Sequence, residues 1–402
     1  RTAISLVETT GASSLQLMEE KYRSTKLESE NNLLTIYIIG GVLLVIIGIY
    51  LWYAQYKKKQ EEANKKTEDK KLKQKYITAF VLKNILCLLF CMVVVISFSK
   101  MFNEENSIVG VVTVMCILTF RFSNFDFKVK QTVLAILGIF GIYMIFPTLA
   151  MISSPGMQFV INFIAILAIL ILSCHNVIFS NQSILVLSYL LLYGYKVTST
   201  YSYSSRVVGL AVGGIIVATI FYIKQRKNKF ENNFIDILKD FNLKNERSRW
   251  QLKLTLAICS ALFIGNILNL PRIMWIGFAC MSIVQPKKEQ VDIRCKERIP
   301  YVTIGSLIYC ALYLVLPQQY LMLIGMMGGI MVGFSATYKW QTVFNVFGAL
   351  SSAVPILGLP VAVIFRIVDN VFGALYGKFF SRLFDKVESR FIKKIEEVPV
   401  IE

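Results

Sequence analysis

Arg366 and Asp369 stand three residues apart in "LGLPVAVIFRIVDNVFGALYG", a stretch that is otherwise aliphatic, aromatic or glycine. On a helix, residues three apart share a face, so the guanidinium and the carboxylate could pair. Charged side chains are costly in an apolar layer, and those that persist usually meet a partner or a cavity. A guanidinium is also the side chain best shaped to grip a carboxylate, through two parallel hydrogen bonds. Arg206 opens "RVVGLAVGG" much as Arg366 opens "RIVDNVFGA". These residues suggest anion binding by Arg206 and Arg366, with Asp369 holding Arg366 when no anion is bound or carrying a proton. The alternative is a structural ion pair. Lys83, Lys253 and Arg298 are weaker candidates. The two lysines lie about a turn inside their helices and could line a vestibule, or snorkel to headgroups.

The elements that position these residues follow from composition. The chain has 402 residues, of which 55% are hydrophobic, and its mean hydropathy is +0.58. Many apolar runs approach 20 residues, the length that crosses a bilayer core as a helix. In lipid the backbone must bond within the segment, so these runs are expected to be helices. The expected fold class is an all-α polytopic membrane protein with about thirteen spans. The first runs from Leu33 to Ala54. Six follow near 80–98, 107–121, 130–150, 156–173, 183–198 and 206–223. Six more lie near 252–270, 273–285, 301–317, 320–336, 341–356 and 359–380. The spans at 107–121 and 273–285 are short, and are expected to tilt or to run further.

Charge sets the expected orientation. "QYKKKQEEANKKTEDKKLKQK" holds nine lysines, the connection at 224–250 holds eight Lys or Arg, and "QPKKEQVDIRCKER" holds five. Opposite loops carry little besides Lys100, Lys196 and Arg272. Basic short loops stay cytoplasmic. That places residues 1–32 and the N-terminus outside, the linker 55–79 and the tail 381–402 inside, and the two six-span blocks at 80–223 and 251–380. The chain does not begin with Met, which suggests a removed signal or a start further upstream. The net charge of +18 is then topology signal and attraction to anionic headgroups. The basic runs lack a nucleic-acid module.

The blocks repeat one another. At a shift of 170, Lys83 falls on Lys253, Tyr143 on Tyr313 and Pro147 on Pro317. At a shift of 160, Arg206 falls on Arg366 and Gly213 on Gly373. Six spans is an even number, so the repeats would be parallel, related by a pseudo-two-fold axis along the membrane normal. The eight cysteines fall in apolar spans or on the expected cytoplasmic side. There is one histidine, His175, and no Cys-x-x-Cys pair, which argues against disulfides and a metal site. No nucleotide loop, cofactor motif or catalytic constellation is readable. "GMMGGIMVG" holds Gly329 and Gly333 at helix-packing spacing, and no Gly-Lys-Ser/Thr follows it.

"WIGFACMSIVQPKKEQVDIRCKERIPYVTIGSLIYCALYLVLP", with Arg298 and Gly305, and the closing "RIVDNVFGALYG" resemble the fusaric acid resistance and aromatic acid exporter superfamily. The resemblance spans about 80–385 and is clearer in the second block. The first block has "RFSNFDFK" in place of "QPKKEQ". The membrane region is also similar to plant aluminium-activated malate transporters. The resemblance implies export or channelling of organic anions such as aromatic carboxylates across a bacterial plasma membrane, with no enzyme activity. The other reading is a non-transporting scaffold subunit. It would dock a protein partner, or form a homo-oligomer, through the N-terminal span and basic loops.

Overall fold

The computed structural model describes residues 70–396, and among them every regular element is a helix. The span expected at 33–54 lies outside the described residues. The first block holds α1 (Lys70–Phe102), α2 (Ser107–Phe120), α3 (Val129–Ile152), α4 (Pro155–Ser173), α5 (Gln182–Gly194) and α6 (Thr200–Gln225). A short α7 (Phe234–Lys239) lies in the basic connection. The second block holds α8 (Glu246–Ile267), α9 (Met274–Ile283), α10 (Lys288–Val315), α11 (Leu321–Phe334), α12 (Tyr338–Leu357) and α13 (Leu359–Glu396). Each apolar run from residue 80 onward is therefore one helix. Eight of the described helices are long and apolar enough to cross a membrane, and the protein is a multi-pass membrane protein.

The two short runs do not extend further as helix. The helices there are Ser107–Phe120 and Met274–Ile283, no longer than the apolar text. The 10 residues of α9 rise only about 15 Å, half a bilayer core. Pro271 and Pro286 bracket it and discourage helix on either side. A short helix with exposed ends is tolerable at membrane depth only inside protein, and α9 is buried along nearly its whole length. Two other boundaries also move. Pro300 lies inside α10, which begins at Lys288 rather than at 301. Helix α13 continues past 380 to Glu396, into the expected tail. Its extension is held by Asp292, which takes Lys378 at 2.8 Å and Arg382 at 2.9 Å, and by Asp385, which takes Lys253 at 3.0 Å.

Within each block the last helix packs on the second and third, and the third packs on the fifth. Between blocks, α4 packs on α8 and α5 on α9, while α1 meets α11. A polar knot seals the first of these contacts. Asn266 donates to Gln158 at 2.6 Å and to the Tyr193 hydroxyl at 3.1 Å, and Tyr193 donates to Gln158 at 3.0 Å. The α1–α11 contact is lighter: Phe80 meets Phe334 with ring centroids 5.9 Å apart, and Leu88 lies over Gly329.

Candidate functional site

The site forms where α13 crosses α9 and α10. The crossing is close because glycines allow it. A Cβ on Gly373 would sit 2.5 Å from the Ile276 carbonyl oxygen of α9, and one on Gly305 would sit 2.6 Å from the Val343 carbonyl oxygen of α12. The turn into α9 is fixed by Arg272 at φ 56, whose carbonyl accepts the Trp275 amide at 2.8 Å. Trp275, 1% exposed, then presents its ring to α13. The Arg366 guanidinium lies over that ring, 4.9 Å from its centroid. A desolvated contact of this kind contributes about 2 kcal/mol.

Arg366 is buried, yet its Nε and Nη1 have no hydrogen-bond partner among the described residues. Asp369, 0% exposed, has no partner on either carboxylate oxygen. The two act on one another electrostatically, but no ion pair within 4.0 Å joins them; the pairing expected from their spacing is not made. Arg298 adds a second guanidinium from α10. It donates from Nη2 to Asn370 Oδ1 at 2.8 Å and from Nη1 to the Tyr338 hydroxyl at 3.1 Å. Asn370 in turn donates to the Arg366 carbonyl at 2.7 Å. Arg294 covers the Tyr338 ring at 5.0 Å, and Tyr338 meets the Ser282 hydroxyl at 3.0 Å.

Arg206 occupies the corresponding place in α6. Like Arg366 it begins a helix-packing face, and its Gly213 sits against Thr113 of α2 as Gly373 sits against α9. Its surroundings differ. Arg206 donates from Nε to Asn106 at 2.9 Å and from Nη1 to the Tyr195 carbonyl at 2.7 Å, and only Nη2 lacks a partner. Tyr195 links the two arginines: its carbonyl is held by Arg206, its side chain packs with the Trp275 cluster, and it lies within electrostatic range of Arg366. Arg272 covers its ring at 5.2 Å. Lys253 is buried and tied to Asp385, so it braces α8 against α13. Lys83 is exposed on α1. Trp275, which opens the family-like stretch, belongs to the site; so do Tyr195, Tyr338 and Asn370, of which only Asn370, beside Asp369, carried a local signal.

Residues 258–380 match the family model described as fusaric acid resistance protein-like. Over that segment the chain is similar to fusaric acid resistance protein-like proteins. The matched segment contains Trp275, Arg298, Gly305, Arg366, Asp369 and Gly373, and is narrower than the 80–385 read from sequence. No curated protein and no solved structure matches the chain. That similarity suggests an exporter-type membrane protein.

Proposed function

We propose that the protein transports organic anions, as an exporter or channel, and that Arg366 receives the carboxylate of substrates such as aromatic acids. One observation carries this reading. A buried guanidinium lies on a tryptophan ring with two nitrogens unpartnered, although buried polar atoms are nearly always satisfied. A carboxylate would take those donors, and the wall beside them is aromatic. Arg206 acts by holding Tyr195 beside Arg366 rather than by meeting the anion itself.

The two blocks serve as parallel halves around this site. The same helix pairs pack within each block, and the contacts between blocks are reciprocal: the fourth helix of each meets the first of the other. The lysine-rich segments set the cytoplasmic side and the tail lies with them.

Flux through the purified chain in liposomes tests the assignment. The parent carries a labelled aromatic carboxylate with no partner protein present. Arg366→Ala removes the receptor and leaves Asp369 uncompensated, so flux falls at least tenfold. Arg366→Lys keeps the charge without the planar fork and weakens carboxylate flux more than chloride flux. An Arg366→Ala protein that elutes as the parent does and transports like it makes the site structural.

A further inference from the structure

The buried charges in the second block do not balance. Lys253 is answered by Asp385 at 3.0 Å. Glu297 is engaged by Lys339 at 3.5 Å, and Asp292 by Lys378 and Arg382. That leaves Arg298 and Arg366, both buried and acting on one another electrostatically. Asp369 is the one buried carboxylate among the described residues. Each of the three keeps unpartnered atoms: Nε of Arg298, Nε and Nη1 of Arg366, and both oxygens of Asp369. Asn370 ties the arginines into one unit, accepting from Arg298 at 2.8 Å and donating to the Arg366 backbone at 2.7 Å. Arg294, one turn before Arg298, is only half-buried, donates to the Ser282 carbonyl at 3.3 Å and lies on the Tyr338 ring, so it stands outside the buried charges.

Two guanidiniums and one carboxylate leave the site one negative charge short. Resting on the reading of Arg366 as the anion receptor, we infer that Asp369 sets the valence of the transported anion: ionised, it makes the site complementary to a singly charged carboxylate and repels a dianion. The selection is electrostatic and local, because inside a protein one charge several ångströms away changes an affinity by tenfold or more. Shape is left to Trp275 and its neighbours, so two anions of similar ring size but different charge separate the two contributions.

Benzoate and phthalate, each fully ionised at mildly alkaline pH, are such a pair. The probe is uptake of each into liposomes holding the full chain, at constant ionic strength. The parent prefers benzoate. Asp369→Asn removes the resident charge with little change of shape, and shifts the phthalate-to-benzoate ratio upward by about tenfold. Asp369→Glu keeps the charge and keeps the parent ratio. Asn370→Asp adds a second carboxylate beside Arg298 and lowers uptake of both anions, phthalate the more. A parent that prefers phthalate, or an Asp369→Asn protein with the parent ratio, overturns the valence rule. If Arg366→Ala still abolishes benzoate uptake in that case, the anion site stands and only the rule falls. If the parent carries neither anion, both readings fall together.

Discussion

Arg206 and Arg366 differ in what surrounds the guanidinium. The first is bonded to Asn106 and to the Tyr195 carbonyl, while the second rests on Trp275 with two free nitrogens. The sequence made both visible, because an arginine in oil stands out by cost alone. It could not separate them, since Asn106, Tyr195 and Trp275 come from distant parts of the chain, two of them from helix ends, and no local spacing places them beside the arginines. The Arg366–Asp369 spacing suggested an ion pair, but a shared face does not oblige two side chains to meet. His175 shows a similar gap. It is the chain's one histidine, and it had no readable partner. In the structure its Nε2 lies 4.0 Å from Asp126 in a corner where Arg247 donates to its carbonyl. Burial, then the Arg247 charge, holds the imidazole below its ordinary value of 6.5, against the pull of Asp126 and Asp240. The folded state therefore favours neutral His175, and the unfolded chain takes the proton first as pH falls. Stability contributed here is complete above 6.5 and is lost as pH falls through the depressed folded value. The melting temperature in detergent should drop on acidification through that window, and His175→Gln should flatten the drop. An equal slope in both proteins would remove His175 from the pH response.

Helix existence was legible from apolar runs, and helix ends were not. Pro300 read as a boundary, yet it lies inside α10, because a proline is tolerated where neighbouring groups absorb the lost backbone bond. The reach of α13 to Glu396 was hidden because its charged continuation reads as a tail. The partners that hold it, Asp292 and the lysine at 253, sit on other helices. Glycine was readable as a packing signal in "GMMGGIMVG", where Gly328 packs against Phe347, but the closest approaches to a neighbouring backbone are at Gly373 and Gly305. A methyl at Gly373 must displace the Ile276 backbone, so Gly373→Ala should destabilise by about 1–3 kcal/mol. At Gly348 the same methyl meets nothing within 4 Å, and helix propensity favours alanine by up to about 1 kcal/mol. Thermal unfolding in detergent should therefore lower the midpoint for Gly373→Ala and hold or raise it for Gly348→Ala. A Gly373→Ala protein as stable as the parent would contradict the close crossing of α13 and α9.

At the scale of the molecule, the last helix packs on the second and third in both blocks, but several residue pairs of the sequence repeat part company. Pro147 lies inside α3, whereas Pro317 follows the end of α10. Lys83 is exposed while Lys253 is buried and paired. The shift of 160 on the last helices keeps its meaning, since Gly213 and Gly373 both pack against the second helix of their block. We propose the orientation that the lysine bias suggests, and labelling tests it. In a chain freed of its native cysteines, a cysteine at Asn103 or Ser153 should react with an impermeant thiol reagent outside intact cells, and one at Asn233 should not. Labelling of the Asn233 position would invert the orientation.

An organic anion that meets Arg366 above Trp275 would be reported by the ring itself. The chain has four tryptophans; replacing Trp52, Trp250 and Trp340 with phenylalanine leaves Trp275 alone. Titrating benzoate into that protein should change its fluorescence in a saturable curve. The same titration of its Arg366→Ala derivative should be flat. A parent that shows no saturable change, or an Arg366→Ala protein that gives the parent's curve, would place the anion away from Arg366 and Trp275.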